Sequence, residues 1–410
     1  MENTLNELLK RYDELCDEHL NLNISRGKPC KEQLDLSNEI LDEVNSHSSY
    51  INRRGNDVRN YGEPTGIDEC KSLFASIFGV EQEDVIVLGN SSLNVEYTFL
   101  TIAYIKGING CTPWSKLEKI KWLCPVPGYD RQFSICEYLG IEMINIPMDE
   151  NGPDMDLVEE YIKDPSVKGI WCVPIYSNPT GITYSDEVVN RFAKLKPAAK
   201  DFRIYWDLAY IVHHLYNGHN DKLLNLSNEA KKYGNEDIFY MFASFSKVAF
   251  AGASISALTA SRKNIKEVAD NLKYQIICFD RINQLRHARY FKDVNGINEH
   301  MKKHADIVRD KFNLVINALE EVKDIAWFTR PNGGYFVSLF VKEGTASKVI
   351  ERCKNCGLIL TEAGCAYPYH KDPHDSLIRI APTYISLEEL KKAMEILIIS
   401  TKIEYLLAKK

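Results

Sequence analysis

The chain has 410 residues, with 50 Lys and Arg against 57 Asp and Glu, which gives a formal net charge of −7. This length predicts two packed lobes rather than a single hydrophobic core. The mildly acidic balance, without a dense basic cluster, argues against nucleic acid or an anionic membrane as the main partner, although a few local cations could still bind a small anionic substrate.

The N-terminal segment is charged and amphipathic, and no stretch approaches the roughly 18 apolar residues of a membrane helix, so we expect neither a signal peptide nor a membrane span. Eleven cysteines without a secretion signal indicate reduced thiols and a cytoplasmic location. Cys353 and Cys356 form a lone CxxC, for which we expect two thiols on one helix face and no metal site.

The first predicted element is a helix over 4–20, where leucines recur at helical spacing. An irregular segment, N-I-S-R-G-K-P at 23–29, follows it, and Gly27 and Pro29 interrupt regular structure there. Between about 67 and 295, short apolar runs alternate with helical stretches, which predicts an α/β fold with a mostly parallel seven-stranded sheet. The predicted strands are Val85–Leu88, Ile120–Cys124, Glu142–Ile146, Gly169–Pro174, Arg203–Asp207, Phe239–Ala243 and Ile255–Thr259.

Beyond this region the pattern changes to a long helix near 297–321 and a closing helix over 386–408. Short strands are predicted between these helices, and they indicate a smaller α+β domain. We therefore divide the chain into a large domain over 51–295 and a small domain that joins 1–50 to 296–410. The predicted strands of the small domain are Ala326–Thr329, Tyr335–Phe340 and Leu377–Ile380.

Polar motifs follow several strands of the predicted sheet, where open α/β sheets bind ligands. The motif G-N-S-S-L at 89–93 suits a phosphate, although Ser or Asn before a helix is more often a simple cap. The turn Y-S-N-P-T-G at 176–181 leaves the Asn178 amide free for a ligand. Asp207 ends the next strand, where a carboxylate serves either as a helix cap or as the partner of a buried cation.

Lys247 follows the sixth strand and is surrounded by small and apolar residues, in S-K-V-A-F-A-G-A-S. An amine held in apolar surroundings can attack a carbonyl group. A single lysine motif more often marks a surface side chain whose stem lies along the protein. The Lys247 motif alone therefore does not indicate a reactive amine. It does so only in combination with the three motifs that precede it in the chain.

In that order, the motifs resemble those of fold-type I pyridoxal-phosphate (PLP) enzymes, and essentially the whole chain resembles class I/II aminotransferases. The resemblance is strongest to the atypical bacterial-type branch of aspartate aminotransferases, subgroup Ic. The matching phrases are S-R-G-K-P (25–29), D-V-R-N-Y-G (57–62), G-N-S-S-L-N (89–94), P-V-P-G-Y-D-R (125–131), S-F-S-K-V-A-F-A-G (244–252), N-Q-L-R-H-A-R (283–289) and I-R-I-A-P-T (378–383).

The resemblance implies three catalytic residues. Lys247 would hold PLP as a Schiff base and move the proton during the reaction. Asp207 would keep the pyridine nitrogen protonated. Tyr210, together with Asn178, would hydrogen-bond the ring hydroxyl, and Tyr129 would stack on the ring.

The resemblance also implies a phosphate site and a shared dimer. Tyr61 resembles the tyrosine that a neighbouring subunit contributes to the phosphate, so we expect a homodimer with shared active sites. One departure affects this site, because the position that often carries a phosphate-binding arginine is Ile255. Helix dipoles, Ser254, Arg281 or Arg286 would have to replace it. The other expected cofactor-binding residues at this end are Asn90, Ser91, Ser92, Ser244 and Ser246.

For the substrate, the resemblance implies that Arg379 holds the α-carboxylate in a bidentate fork, with a structural ion pair as the alternative. Asn178 would also contact the substrate, and Gly27 would let the N-terminal segment approach it closely. A dicarboxylic substrate needs a second cation, for which the candidates are Arg26, Lys28, Arg53 and Arg59.

The expected reaction is a ping-pong transamination that moves the amino group of an L-amino acid, aspartate by resemblance, to a 2-oxo acid such as 2-oxoglutarate. An aminotransferase for aromatic amino acids or kynurenine, and a PLP-dependent β-lyase, are alternatives. A decarboxylase is disfavoured, because Arg379 would keep the carboxylate away from the bond-breaking position. The alternatives outside catalysis are a ligand-sensing aminotransferase-like domain and an α/β protein that binds no PLP.

Overall fold

The computed structural model describes residues 2–409. Its helices are α1 Glu2–Cys16, α2 Lys31–Asp35, α3 Asp68–Phe78, α4 Ser92–Ile105, α5 Asp130–Tyr138, α6 Met155–Tyr161, α7 Asp186–Lys194, α8 Leu226–Lys232, α9 Arg262–Leu272, α10 Arg281–Phe291, α11 Val294–Leu319, α12 Ala346–Asn355 and α13 Leu387–Leu407. Its strands are β1 Leu22–Asn23, β2 Val85–Val87, β3 Lys121–Val126, β4 Glu142–Asp149, β5 Gly152–Pro153, β6 Val167–Cys172, β7 Arg203–Asp207, β8 Phe239–Ser244, β9 Ser256–Thr259, β10 Trp327–Phe328, β11 Val337–Phe340, β12 Leu358–Ile359 and β13 Leu377–Ile380.

The large sheet has the strand order β2-β9-β8-β7-β6-β3-β4-β5. Strands β4, β3, β6, β7 and β8 pair in parallel, whereas β9 runs antiparallel to both β8 and β2. All seven predicted strands are present, and the two-residue β5 adds an eighth strand at the edge by pairing antiparallel with the end of β4. The sheet is therefore mostly parallel, as the alternating pattern predicted.

Helices cover both faces of this sheet, which explains why every residue of its central strands β6 and β7 is buried. Side chains alternate between the faces along a strand. In β7, Ile204 and Trp206 belong to the core beneath α3, α7 and α8, whereas Tyr205 belongs to the core beneath α4, α5 and α9. By this alternation Asp207 lies on the Tyr205 side, toward α4 and α5.

The terminal segments build the remaining structure. Strands β10, β11 and β13 form an antiparallel sheet, and β1 pairs in parallel with β12. The third hydrophobic core joins α1 to α11, α12 and α13. In α13, Ser386 and Glu389 form a capping box that fixes the start of the helix. The division of the chain into domains at residues 51 and 296 stays a prediction.

Candidate active site

The predicted polar residues meet at the carboxyl edge of the large sheet. Asp207 is the last residue of β7, and the segment that carries Lys247 follows β8 directly. Tyr129 comes three residues after the end of β3, and the Asn178 turn comes six residues after the end of β6. Because these strands are parallel neighbours, their ends bring the four residues to one place.

The Asp207 side chain is only 2% exposed, and its two oxygens have separate donors. The Ser92 hydroxyl donates to Oδ2 at 3.3 Å, and the main-chain N–H of Ala209 donates to Oδ1 at 3.1 Å. Burial raises the pKa of Asp207 to about 6, while the positive charge of Lys247 and these two hydrogen bonds act in the opposite direction. The carboxyl group is therefore available to pair with a further cation.

Lys247 lies among aromatic side chains. Its Nζ is 4.9 Å from the centroid of the Tyr210 ring and 5.9 Å from that of Tyr335, within the range of a cation–π interaction. Burial raises the pKa values of Tyr210 and Tyr129 well above the usual value, so both phenols stay neutral near pH 7. The amine thus lies beside neutral phenols that can donate hydrogen bonds.

Arg379, in β13, is held from several directions although it is almost fully buried. Its Nη1 donates to Asp130 Oδ1 at 2.9 Å and to Asn178 Oδ1 at 3.3 Å, and its Nε donates to Thr361 Oγ1 at 3.3 Å. The ion pair that we considered as the alternative to substrate binding is present, and it places the guanidinium beside Asn178. The cation also lies 5.1 Å from the centroid of the Phe336 ring.

The residues expected around the phosphate lie at the start of α4 and after β8. Ser91 caps α4 by accepting from the Asn94 N–H, and the Ser246 hydroxyl donates to the Asn90 carbonyl at 3.0 Å. Ser244 ends β8 and is partly exposed. Ser92 was expected to bind the phosphate, but its hydroxyl donates to Asp207 instead.

The candidates for replacing the missing arginine differ in their surroundings. Ile255 is buried, and the Ser254 hydroxyl donates to its carbonyl. Arg281 donates to the main-chain carbonyls of Asp57, Asn60 and Tyr61, so it holds that loop in place. Arg286 is oriented by Asn283 and lines a cavity that Gly89 and Asn90 also line, whereas Arg281 does not line that cavity.

The remaining predicted residues lie on the N-terminal third of the chain. Tyr61 is 76% exposed, so its ring is free to contact another molecule. Gly27 packs against the residues that immediately precede β11. An added Cβ at Gly27 would lie only 2.7 Å from Phe336 Cζ. The candidate cations for a second carboxylate, all exposed, are Arg26, Lys28, Arg53 and Arg59. Of these, Arg59 is already paired with Asp57.

Sequence reasoning missed four residues at this site: Asp130, Tyr335, Gln132 and Glu96. Glu96 is fully buried and accepts from the Gln132 amide at 2.8 Å. A carboxylate among the apolar positions of helix α4 was the available signal, since charged residues are almost never buried without a reason. Asp130 follows Tyr129 directly, but nothing in the local sequence relates it to Arg379.

The part of the chain that the structure describes offers neither a metal-binding cluster nor a membrane-spanning helix. Within residues 2–409, no three or more His, Cys, Asp or Glu side chains cluster in a way that could hold a metal ion. Over the same residues, none of the helices combines the length and apolar character that a bilayer crossing requires. Cys353 and Cys356 are both buried, free thiols.

Comparison with known proteins identifies the family. The family profile described as "Aspartate amino-transferase" matches residues 1–408. An aspartate aminotransferase from Corynebacterium glutamicum is 42% identical over 393 residues, which cover 95% of this chain and 90% of that protein. The crystal structure of an aspartate transaminase from the same species has a TM-score of 0.96 at 40% identity, and the match covers 100% of this chain and 97% of that one.

A more distant structure shares the fold. The α-aminoadipate aminotransferase from Thermus thermophilus, solved in complex with N-(5'-phosphopyridoxyl)-L-leucine, has a TM-score of 0.74 at 19% identity, and the match covers 94% of this chain and 93% of that one. The profile and the C. glutamicum relative together establish an aminotransferase-like enzyme. The chain belongs to the aspartate aminotransferase family and has the fold-type I architecture of PLP-dependent aminotransferases.

Proposed function

We propose that this chain is a PLP-dependent transaminase that moves the amino group of L-aspartate to 2-oxoglutarate. The observation that carries the proposal is the placement of an amine and a buried acid at one sheet edge. Asp207 ends β7, Lys247 follows the neighbouring parallel strand β8, and the charge of Lys247 lowers the carboxyl pKa. Aminotransferases in general use PLP, which when bound takes up the amino group of one substrate and returns it to the next.

The residues present fit that cofactor. Within the described chain, Asp207 is a buried acid without a salt-bridge partner of its own, which suits a protonated pyridine nitrogen. Lys247 supplies the amine that holds the cofactor and moves a proton, and Tyr210 and Asn178 supply neutral hydrogen-bonding groups beside it. Tyr129 offers a flat ring for stacking.

At the phosphate end we propose Asn90, Ser91, Ser244 and Ser246 as binding residues, together with the free N–H groups at the start of α4. Arg286 is the cation that we propose in place of the absent arginine, because it shares a cavity with Asn90. Ser92 remains a cofactor-site residue, but we propose that it acts by orienting Asp207.

For the substrate, we propose that Arg379 binds the α-carboxylate, with Asn178 beside it and Gly27 closing the site from the N-terminal segment. Aspartate is proposed because the C. glutamicum relative carries that name. Arg26 and Lys28 flank Gly27, and the Ser25 carbonyl accepts from Thr361, which in turn contacts Arg379. These two cations are therefore better placed for a distal carboxylate than Arg53 and Arg59.

We further propose a homodimer in the cytoplasm. The exposure of Tyr61, on a loop that Arg281 holds rigidly, supports its contribution to the site of a second copy. The eleven cysteines are all free thiols, which fits a reducing compartment. Small-molecule amino acids and 2-oxo acids are the proposed partners.

Borohydride reduction followed by peptide mass mapping tests the cofactor assignment. We expect one phosphopyridoxyl label per chain, on Lys247, and a label on another lysine, or none, would contradict the proposal. The substrate is tested by mixing the cofactor-loaded protein with single amino acids and following loss of its visible band. Aspartate and glutamate should react fastest, whereas preference for aromatic amino acids, or release of pyruvate and ammonia, would favour the alternative enzymes.

A further inference from the structure

A second carboxyl group is buried next to the proposed cofactor acid. Glu96 lies in helix α4 and is 0% exposed. Its Oε1 accepts from the Gln132 side-chain amide at 2.8 Å. Among residues 2–409, no group hydrogen-bonds to its Oε2. A buried ionised oxygen without a donor is far more costly than a neutral hydroxyl in the same place.

The fold places Glu96 in the same layer as Asp207. Asp207 is directed toward the α4 and α5 side of the sheet, because it alternates with Trp206 along β7. Ser92, which donates to Asp207, lies one helical turn before Glu96, and residues four apart share a helix face. The two carboxyl groups therefore face the same interior region.

The surroundings of the two groups decide which of them carries the negative charge. Asp207 has two hydrogen-bond donors and the nearby cation of Lys247, whereas Glu96 has one donor from a neutral amide. Burial, and then the charge of Asp207, raise the pKa of Glu96 well above its usual value. The phenols of Tyr205 and Tyr129, whose pKa values a charge on Glu96 would raise further, stay neutral because burial raises their pKa values.

Glu96 also connects the two helices that carry the cofactor site. Its partner Gln132 is 1% exposed and lies in α5, three residues after the ring-stacking Tyr129. The hydrogen bond between Glu96 and Gln132 therefore joins the helix that orients Asp207 to the helix that presents Tyr129. A neutral acid can keep this bond without placing a second negative charge near Asp207.

We propose that Glu96 is a positioning residue that remains a neutral carboxylic acid, so that the two buried carboxyl groups carry one negative charge, localised on Asp207. The charge on Asp207 would hold the protonated pyridine nitrogen of PLP, and the bond between Glu96 and Gln132 would keep α4, which orients Asp207, in register with Tyr129 at the start of α5. The part of this inference that concerns the cofactor rests on the proposed function, whereas the neutral state of Glu96 does not.

Infrared spectroscopy tests the neutral state without any cofactor. The purified protein at pH 7.5 should show the carbonyl band of a protonated carboxylic acid, and Glu96→Gln should remove that band. Asp201→Asn is the matched control, because Asp201 is also buried but is paired with Lys168 at 2.8 Å. The control should retain the band, and absence of the band from the unmodified protein would overturn the inference.

The positioning role is tested with the cofactor-loaded protein. Glu96→Gln keeps a neutral acceptor for Gln132, so the pH midpoint of the visible band should move by less than about half a unit and PLP affinity should change less than about twofold. Glu96→Ala leaves the Gln132 amide without a partner and should weaken PLP binding about tenfold. Asp201→Asn should lower thermal stability but leave PLP affinity unchanged.

Two outcomes of these measurements would overturn the inference. A midpoint shift of about one unit or more in Glu96→Gln would show that the substitution removed a negative charge. Unchanged PLP affinity in Glu96→Ala would show that the bond to Gln132 has no effect on the site. If the unmodified protein failed to bind PLP, the proposed function would fail instead, and the infrared result would still decide the charge of Glu96.

Discussion

Arg379 Nη1 lies 2.9 Å from Asp130 Oδ1 and 3.3 Å from Asn178 Oδ1, so the proposed carboxylate-binding guanidinium is already fixed before a substrate arrives. The Thr361 hydroxyl, which accepts from Nε, fixes the plane of the guanidinium as well. A group held in this way loses little conformational freedom when it binds a planar carboxylate. The ion pair with Asp130 thus serves preorganisation and does not exclude substrate binding.

We expect Arg379→Lys to raise KM for the amino acid by about 30-fold or more, because an ammonium group cannot form the bidentate fork. Steady-state kinetics on the cofactor-loaded protein measures this effect. Arg330→Lys is the control, since Arg330 is exposed and paired with Glu320, and it should behave like the unmodified protein. Equal KM values for Arg379→Lys and the control would show that Arg379 does not bind the substrate.

Asp207→Asn should make the cofactor-free protein more stable at pH 8. Burial raises the native pKa of Asp207 to about 6, so the native state binds the proton more tightly than the unfolded state does. The ionised group therefore destabilises the fold above pH 6, and this cost disappears as the pH falls toward 4. Denaturant unfolding should show a gain of about 2 kcal/mol at pH 8 and little change at pH 4.

The same substitution should weaken PLP binding by about tenfold or more, since a neutral amide cannot pair with a protonated pyridine nitrogen. A gain in stability together with a loss in cofactor affinity is typical of a site whose charge is kept for function. Asp201→Asn should instead lose stability at pH 8, because it breaks a buried ion pair. Unfolding curves for Asp207→Asn that match the unmodified protein at both pH values would contradict the assigned pKa.

Gly27→Ala should destabilise the protein by about 1–3 kcal/mol, because the new methyl group would lie 2.7 Å from Phe336 Cζ and 3.3 Å from Tyr335 Cβ. We also expect a higher KM, since Phe336 packs against the Arg379 guanidinium. Thermal unfolding and steady-state kinetics measure the two effects. In the double variant with Phe336→Leu, the losses should be smaller than the sum of the single effects. Additive losses would show that the two side chains do not compete for space.

Tyr61 and Lys247 allow a test of the shared site by subunit mixing. If Tyr61 acts in the site of the partner, a hybrid of one Lys247→Ala chain and one Tyr61→Ala chain contains one intact site. Refolding the two variants together in equal amounts should then restore about a quarter of the unmodified activity, since half of the dimers are hybrids with one working site. If Tyr61 acts within its own chain, mixing restores no activity. The activity of each variant refolded alone gives the baseline for this comparison.

The local sequence predicted two fully buried strands with the observed bounds. These strands are Arg203–Asp207 and Leu377–Ile380, in both of which apolar residues fill most positions. The strand predicted to end at Ile146 continues to Asp149, because its last two residues pair with β5, which follows after a short turn. The strand predicted over Tyr335–Phe340 begins only at Val337, since no ladder partner within the described chain reaches its first residues.

The sequence by itself determined the order of the elements, the residues at the strand ends and the class of chemistry that an amine and an acid at those ends can support. Those features depend on local periodicity, turn residues and parallel strand direction, which short segments specify. Only the tertiary structure decided three contacts of the site. Arg379 pairs with Asp130, the Ser92 hydroxyl donates to Asp207, and the buried Glu96 accepts from Gln132. Such contacts join residues far apart in the chain, and they arise when helices pack on a common sheet face, which no local pattern encodes.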